Sequence, residues 1–232
     1  MKIMSFNTQH CLNFIKRNID FQVMADAITA CNADVVGLNE MRGEGVAADY
    51  AAQTENLSQL TGLDHFFFAK AIEFPNGPYG NSLLSRYPIV SAEAIPVPDP
   101  EPRKYNGYYE TRCLLKAKLE NGLCVLVIHF GLNPDEQENA VHTILQHLEN
   151  EKCILMGDFN VTPENELLRP IRERMKDTAD FFAEDKLSFP SDRPDRKIDY
   201  IFVSPDIEVV TADIPDIVAS DHRPHTAQIN VL

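Results

Sequence analysis

The sequence of 232 residues lacks several features that mark particular classes of protein. It has no tryptophan, and no apolar run approaches the roughly 20 residues that a helix needs to cross a bilayer, so stable membrane association is not expected. Its five cysteines contain no C-x-x-C pair and are odd in number, which argues against a disulfide framework and against a zinc site. The cysteines are Cys11, Cys31, Cys113, Cys124 and Cys153.

Basic residues are also scarce relative to acidic ones. The 21 lysines and arginines face 35 aspartates and glutamates, which gives a formal net charge of −14. Proteins that hold long nucleic acids neutralise several phosphates with Lys and Arg, and an anionic surface opposes that attraction. Avid binding of duplex DNA is therefore not expected.

No linker divides the sequence. Gly/Ser tracts and charge blocks are absent, so one domain over residues 1–232 is predicted. The segment from Met1 to Asn7 has the pattern of a strand and lacks the basic and apolar regions of a secretory leader. With scattered free cysteines, these features favour a cytoplasmic protein, and we expect it to be a monomer.

Hydrophobic patterning predicts more strands than helices. Turn signals between apolar runs suggest hairpins at Asn121-Gly122 and around Tyr87-Pro88, and the segment from Ile95 to Tyr109, with four prolines and three tyrosines, predicts a long irregular loop. The predicted strands are 2–6, 34–38, 65–69, 82–85, 114–119, 123–129, 153–156, 198–203, 207–211 and 226–231, and the predicted helices are 21–31, 48–60 and 134–148. This mixture favours two sheets packed face to face, each covered outside by helices.

One strand leads directly into a polar motif. The apolar run from Cys153 to Met156 is followed by Gly157-Asp158-Phe159-Asn160. Residues two apart in an extended segment point the same way, so Asp158 and Asn160 are expected to project together and to orient a water and hold a phosphoryl oxygen. Asp and Asn also occur in turns for backbone reasons alone, so the motif by itself leaves an ordinary turn open.

Polar residues recur at or near the ends of other predicted strands. These residues are Asn7, Glu40, His129, Asp199, Asp221 and His222. Asp199 lies within an otherwise apolar strand, where an unpaired carboxylate is costly to desolvate. Each residue has a local alternative, such as a cap, an exposed turn acid or a satisfied core histidine. Their recurrence together favours a functional site.

With these residues in place, the sequence resembles the endonuclease/exonuclease/phosphatase superfamily, which has the DNase I-like fold. The resemblance is carried, in family order, by Ser5-Phe6-Asn7, Leu38-Asn39-Glu40, Tyr79 to Arg86, Ile128-His129, Gly157 to Asn160, Ile198 to Ile201 and Ser220 to Pro224. It implies an α/β (α+β) fold, namely a four-layer α/β/β/α sandwich of two packed, mostly antiparallel sheets flanked by helices. It also implies a hydrolase of phosphoester bonds that uses Mg²⁺ or Mn²⁺.

The resemblance implies a metal site built from oxygen ligands. Glu40 resembles the principal ligand, with Asn7 beside it and Asp221 completing or supporting the set. Carboxylate and amide oxygens suit Mg²⁺, which keeps several waters that a substrate phosphate can replace.

The resemblance also implies roles in the reaction. Asp158 resembles the residue that orients or deprotonates the attacking water, and Asn160 the residue that holds a phosphoryl oxygen. Asp199 and His222 resemble a carboxylate–imidazole pair in which the acid fixes the ring. His129 resembles the histidine that donates to the phosphate or to the leaving oxygen.

Some positions depart from the family pattern or match only some of its branches. Many members have Gln before the metal glutamate, where this chain has Asn39. Asn81, Arg112 and Asn133 occupy positions where some branches place groups that bind or support the phosphate, so these three are predicted to bind substrate.

The predicted function is a metal-dependent phosphodiesterase or phosphomonoesterase acting by in-line attack of water on a small or single-stranded phosphorylated substrate. The first alternative is a nuclease that cuts DNA or RNA, of the endonuclease or abasic-site type. The second, from another class, is a module that recognises a phosphorylated partner without catalysis, because a fold alone does not guarantee activity. Metal titration combined with turnover separates the last alternative from an enzyme.

Overall fold

The computed structural model describes residues 1–231 and contains two six-stranded sheets. The strands are β1 (Lys2–Asn7), β2 (Val35–Arg42), β3 (His65–Phe74), β4 (Gly77–Ser85), β5 (Ile89–Pro96), β6 (Cys113–Leu119), β7 (Cys124–His129), β8 (Cys153–Asp158), β9 (Lys176–Asp177), β10 (Asp199–Val203), β11 (Glu208–Asp213) and β12 (His225–Asn230). The α-helices are α1 (Phe21–Cys31), α2 (Gln53–Thr61), α3 (Pro134–His147) and α4 (Arg169–Arg172).

The two sheets share one plan. The first has the order β11-β12-β1-β2-β4-β3 and the second the order β5-β6-β7-β8-β10-β9. Each has one parallel pair at its centre, β1 with β2 and β7 with β8, and the other pairs are antiparallel. Helix α1 connects the first parallel pair and α3 the second, so the carboxyl ends of each pair meet at one edge, where α/β sheets commonly bind ligands.

The sheets pack face to face through a core of aliphatic side chains that includes Val35, Val127 and Met156. A second apolar cluster joins α3 and α4 to the outer face of the sheet that contains β7, and a third joins α1 and α2 to the outer face of the sheet that contains β1. The predicted four-layer α/β/β/α sandwich of two packed, mostly antiparallel sheets is therefore confirmed.

Local sequence explains the two helices that connect the parallel pairs. The side chain of Asp20 accepts a hydrogen bond from the backbone N–H of Val23 at 3.2 Å and caps α1, which then buries Met24 and Ile28 on one face. Helix α3 begins at Pro134. The side chain of Glu136 in its first turn accepts a hydrogen bond from the backbone N–H of Asn133 at 3.1 Å, and proline suits the first position of a helix because the N–H that it lacks would be unpaired there. Both helices were predicted within one residue of their observed ends.

Other predicted elements need correction. The Asn121-Gly122 hairpin is confirmed, because β6 and β7 pair antiparallel around it. The hairpin around Tyr87-Pro88 is wrong, because the chain there leaves β4 in the first sheet and enters β5 in the second. Strand β5 was not predicted, since it is an edge strand with largely exposed side chains and no clear alternation. Helix α2 begins at Gln53, five residues later than expected.

Within residues 1–231, no helix combines the length and the apolarity that crossing a membrane would require.

Candidate active site

Four strand ends bring the central polar residues together. Asn7 ends β1 and His129 ends β7, while Asp158 ends β8 and Glu40 lies near the end of β2. Asp199 begins β10 and pairs in register with Asp158, because β10 runs antiparallel to β8. The sequence therefore places these carboxylate, amide and imidazole groups at one edge of the two packed sheets.

The motif Gly157-Asp158-Phe159-Asn160 combines a close backbone approach with a buried anchor. A Cβ atom on Gly157 would lie 1.8 Å from the carbonyl oxygen of Ile128, so the strands could not pair as they do with any larger residue there. The ring of Phe159 is fully buried and lies 4.5 Å, centroid to centroid, from that of Phe130. These contacts fix the backbone on either side of Asp158.

Asp158 and Asn160 both lie in the site, but not by the predicted strand alternation. Strand β8 ends at Asp158, and Asn160 has a left-handed backbone with φ of 52°. The backbone N–H of Asn160 donates to Asp158 Oδ1 at 2.9 Å, which is a tight local turn. The side chain of Asn160 donates to the carbonyl oxygen of Phe130 at 3.0 Å. A turn, not an extended segment, thus orients the pair.

An irregularity in β2 aims Glu40 at the site. The pairing of β2 with β4 shifts register between Leu38 and Met41, and Glu40 has φ of 61°. Such a bulge changes the direction of side chains along a strand. Asn39 consequently points between the sheets, while one oxygen of Glu40 accepts a hydrogen bond from Asn7 Nδ2 at 3.0 Å.

Three donors converge on one carboxylate oxygen. Asp158 Oδ2 accepts a hydrogen bond from Asn7 Nδ2 at 3.0 Å, and His129 Nε2 and His222 Nε2 lie 3.5 Å and 3.6 Å from it. Asp158, His129 and His222 are all buried. The arrangement is one that holds an anionic oxygen, because converging donors in a site shielded from water stabilise negative charge strongly.

His222 is paired with Asp199 as predicted. The distance from His222 Nδ1 to Asp199 Oδ2 is 2.8 Å, and the ring of Phe189 packs 4.8 Å from the imidazole, centroid to centroid. Burial opposes protonation of His222, but the negative charges of Asp199 and Asp158 outweigh it and raise its pKa to about 10. The ring is therefore an imidazolium at neutral pH and presents Nε2–H to the site.

Asp158 and His129 differ from His222 in their protonation states. Burial raises the pKa of Asp158 to about 7, against the opposing charge of His222. Burial, reinforced by the positive charge of Arg112, lowers the pKa of His129 well below its ordinary value. His129 is therefore a neutral imidazole, while Asp158 can exchange a proton near neutral pH.

The oxygen ligands predicted for a metal suit a hard divalent cation. Burial opposes ionisation of Glu40, but the neighbouring His10, His129 and Asn7 together outweigh this effect and lower its pKa to about 2, so it stays a carboxylate. Burial raises the pKa of Asp221, and the negative charge of Glu40 adds to that increase. A cation between two mutually repelling carboxylates relieves the repulsion, so this donor set fits Mg²⁺ chemistry. Asn7 Oδ1 accepts from the backbone N–H of Gln9 at 3.0 Å, and its role as a ligand stays a prediction.

Three residues other than the predicted ligands have ligand atoms close enough together to hold a metal. Asp158, Asp199 and His222 offer one atom each within 4.8 Å of one another. A metal there would compete with the proton on His222, because a ligating imidazole must be neutral. A cation at this group would therefore have to displace the proton of His222.

The three residues predicted to bind substrate make protein contacts. Asn81 is buried between the sheets, where its side chain donates to the carbonyl oxygen of Cys113 at 2.9 Å. Asn133 caps α3 and donates to the carbonyl oxygen of Tyr108 at 2.8 Å. Arg112 contacts the imidazole of His129, at the edge of the site. Their binding of substrate stays a prediction.

Sequence reasoning missed two residues at the site. His10 Nδ1 lies 3.8 Å from Glu40 Oε2, three positions after Asn7, in a loop whose residues 9–11 all have left-handed φ. Asn39 was noted only as a departure from Gln, yet its side chain contacts the second sheet. His10 could have been predicted as a site residue because it lies only three positions after Asn7. The role of Asn39 could not, because its contacts join residues far apart in sequence.

Comparison with known proteins agrees with this geometry. Residues 4–222 match the model of the Endonuclease/Exonuclease/phosphatase family, whose members are hydrolases acting on phosphoester bonds. YbhP, an uncharacterized protein of Escherichia coli (strain K12), is 23% identical over 170 residues, and the match covers 68% of this chain and 66% of YbhP. The chain thus spans slightly less than two thirds of the length of that relative.

Two solved structures share the fold. The endonuclease/exonuclease/phosphatase from Beutenbergia cavernae DSM 12333 has a TM-score of 0.80 and 22% identity, and the comparison covers 100% of this chain and 71% of that one. The mannosyl-6-phosphatase Bt3783 from Bacteroides thetaiotaomicron VPI-5482 has a TM-score of 0.73 and 14% identity, with 99% of each chain covered. Since the family match extends from β1 to the His222 that pairs with Asp199, the chain belongs to the Endonuclease/Exonuclease/phosphatase family.

Proposed function

We propose that the protein is a hydrolase of phosphoester bonds that depends on Mg²⁺ or Mn²⁺ and acts by in-line attack of water at phosphorus. The observation that carries the proposal is the convergence of Asn7, His129 and His222 on Asp158 Oδ2. These are the hydrogen-bond donors that a phosphoryl group requires, and they surround a carboxylate that can accept a proton from water.

Asp158 is the group that orients and deprotonates the attacking water. Its raised pKa, about 7, gives the carboxylate useful basicity at neutral pH while leaving a large fraction ionised. The backbone N–H of Asn160 and the side chain of Asn7 each hold one of its oxygens, so the base is fixed before substrate binds.

The phosphoryl group is held by donors on two sides. The imidazolium of His222, oriented by Asp199, supplies a positive charge against the charge that develops on the phosphoryl oxygens. Asn160 Nδ2 supplies a further donor 3.3 Å from His129 Nε2, and His129 supplies another when its proton is on Nε2. These contacts would strengthen as charge accumulates in the transition state, which is the requirement for catalysis.

Glu40 and Asp221 are the carboxylates that would hold the divalent cation, with Asn7 as a further oxygen ligand. A bound cation supplies charge neutralisation and polarises the phosphoryl oxygen. The low pKa of Glu40, about 2, keeps this ligand ionised across the whole physiological range.

The proposed substrate is small or single-stranded, such as a phosphorylated metabolite or a short nucleic acid. The net charge of −14 supports this choice, because it opposes the approach of long polyanions. The structural neighbour from Bacteroides thetaiotaomicron is a mannosyl-6-phosphatase, a name that agrees with a small phosphorylated substrate. A monomeric, single-domain protein of the cytoplasm completes the proposal, and its five free cysteines agree with a reducing compartment.

The proposal is tested by turnover with and without metal. Purified protein is incubated with Mg²⁺, Mn²⁺ or EDTA and with bis(p-nitrophenyl) phosphate, p-nitrophenyl phosphate, short oligonucleotides and inositol phosphates. We expect metal-dependent release of product from at least one of these substrates. No turnover of any substrate by protein that binds metal would contradict the proposal.

The role of Asp158 is tested by Asp158→Asn, which keeps the size of the side chain and removes the base. We expect the rate to fall by at least about 10²-fold, because positioned general bases contribute that much. Circular dichroism would establish that the variant is folded. A folded variant with the wild-type rate would reject the assigned role of Asp158.

A further inference from the structure

The contact between Arg112 and His129 determines where the proton sits on the imidazole. Arg112 Nη1 lies 3.1 Å from His129 Nδ1. A guanidinium can only donate hydrogen bonds, so Nδ1 must present its lone pair. The single proton of the neutral ring is then on Nε2, the nitrogen that faces Asp158.

The guanidinium is itself held in place. Glu110 forms an ion pair with Arg112 Nη1, and both side chains are nearly buried, with 11% of Arg112 and 12% of Glu110 exposed. A largely buried ion pair reorients less readily than an exposed one. Arg112 Nη1 is therefore held by Glu110 and His129 before any substrate arrives.

The groups around the ring favour the same state. Arg112 faces Nδ1, while Asp158 and His222 lie on the Nε2 side and Glu40 acts from further away. A second proton on the ring would place Nδ1–H against the guanidinium N–H. The burial of His129 and the charge of Arg112, which lower its pKa, agree with exclusion of the imidazolium.

The side chain of Asn160 lies beside the Nε2 atom of His129. Its Nδ2 donates to the carbonyl oxygen of Phe130 at 3.0 Å, which fixes the orientation of the amide. The same Nδ2 lies 3.3 Å from His129 Nε2, a contact in which Asn160 donates when Nε2 has no proton. Asp158 Oδ2, which can only accept, lies 3.5 Å from Nε2 and, with Arg112 at Nδ1, favours the proton on Nε2. In that tautomer Asn160 and His129 present two N–H donors side by side. Two adjacent donors of this kind bind one anionic oxygen.

We propose that Arg112 is a positioning residue that locks His129 as the neutral Nε2–H tautomer, so that His129 and Asn160 form a fixed two-donor clamp for a phosphoryl oxygen. In this role His129 donates a hydrogen bond but transfers no proton, and Arg112 acts through His129 without touching the substrate. The inference rests on the proposed function for the identity of the bound oxygen.

The tautomer is tested first in the wild-type protein without substrate. Long-range ¹H–¹⁵N spectra of protein labelled in its histidine rings distinguish protonated from unprotonated nitrogens, and His129→Gln identifies the signal. We expect Nε2 protonated and Nδ1 unprotonated throughout the range from about pH 5 to 8, in which an ordinary histidine titrates. A His129 ring that titrates normally, or that carries its proton on Nδ1, would overturn the proposal.

The route of the effect is tested by a double-mutant cycle with the best substrate from the screen. Arg112→Met is expected to lower kcat/KM by about 10-fold or more, because the donor is no longer fixed. His129→Gln keeps an amide donor but has no tautomers, so in that background Arg112→Met should change kcat/KM within about 2-fold. An equal loss in both backgrounds would mean that Arg112 contacts the substrate directly, and would overturn the proposal.

Arg112→Lys provides a second variant for the case in which Arg112→Met does not fold. It retains a cationic donor, and we expect it to retain the Nε2–H tautomer, whereas an Nδ1–H signal would count against the proposal. A wild-type protein that hydrolyses no phosphoester would refute the proposed function, and the substrate-free titration would still decide the tautomer.

Discussion

Replacing Asn39 by Ala is expected to weaken the packing of the two sheets and the position of Asp158 together. The side chain of Asn39 is fully buried and belongs to β2 in the first sheet. Its Nδ2 donates to the carbonyl oxygen of Ile128 and to Asn81 Oδ1, both at 2.8 Å. Its Oδ1 accepts from the backbone N–H of Asp158 at 2.9 Å. One amide thus uses both of its donors and its acceptor, and two of these bonds cross to the second sheet.

The magnitude follows from the groups that the substitution leaves behind. Asn39→Ala removes the partner of a carbonyl oxygen, an amide oxygen and a backbone N–H, all in a buried interface. A buried polar group without its partner costs about 1 to 3 kcal/mol. Three such groups predict a loss of about 3 to 9 kcal/mol in the free energy of unfolding. This is a large part of the roughly 5 to 15 kcal/mol that a folded domain has.

The assay is urea unfolding followed by far-ultraviolet circular dichroism, because the chain has no tryptophan to report by fluorescence. A lower midpoint with an unchanged m-value would show a change in stability. The matched control is Asn230→Ala, which removes an exposed amide that donates to Glu208 at 2.8 Å. Its effect should stay within about 0.5 kcal/mol.

Two results would refute this reasoning about Asn39. A loss below about 1 kcal/mol would show that water or rearrangement satisfies the three groups. A folded Asn39→Ala variant that keeps the wild-type kcat would show that the backbone of Asp158 does not depend on the contact between the sheets.

Three further predictions concern single side chains. Glu40→Gln should raise the Mg²⁺ or Mn²⁺ concentration for half-saturation by at least about 10-fold, measured by calorimetric titration as well as by activity. Lys197→Met should stabilise the protein by about 1 to 2 kcal/mol at pH 7 in urea unfolding, because burial lowers the pKa of Lys197 to about 8 and leaves its protonated form disfavoured in the folded state. As the pH rises above about 8, wild-type Lys197 loses its proton in the folded state before it does so in the unfolded state. The stability advantage of Lys197→Met should therefore shrink towards pH ~10. An advantage that does not change with pH would contradict a lowered pKa of Lys197. Burial lowers the pKa of His225 well below its ordinary value, so the folded state takes up fewer protons than the unfolded state below about pH 6.5 and wild-type stability should fall there. His225→Gln should lose less stability over that range, and parallel pH curves for the two proteins would count against this explanation.

Local signals were sufficient for much of the fold. Helices α1 and α3 were predicted because their apolar residues recur with helical periodicity, which depends only on residues a few positions apart. The central strands were predicted because they are buried on both faces and appear as continuous apolar runs, as in β7 and β8. The recurrence of polar residues after those runs favoured a functional site, and the family resemblance implied their roles.

The features that could not be predicted from the sequence depend on contacts between distant segments. The pairing of β5 with β6 places β5 in the second sheet, and no local pattern at Tyr87-Pro88 specifies that crossing. The bulge that turns Glu40 depends on how β2 pairs with β4. The position of Asn160 depends on a carbonyl oxygen of Phe130, thirty residues away. Each feature requires a partner that the local sequence does not name.

The division of the site between the sheets explains why buried amides join them. The first sheet supplies Asn7 and Glu40, and the second supplies His129 and Asp158. Apolar side chains alone would let the sheets slide at little cost, since hydrophobic contacts have no preferred direction. Asn7 donates to carboxylates from both sheets at 3.0 Å, so a slide of one sheet would break a directional bond and would also change the distance from Glu40 to Asp158. The hydrogen bonds that register the two sheets are therefore the same bonds that set the spacing between the proposed cation site and the proposed base.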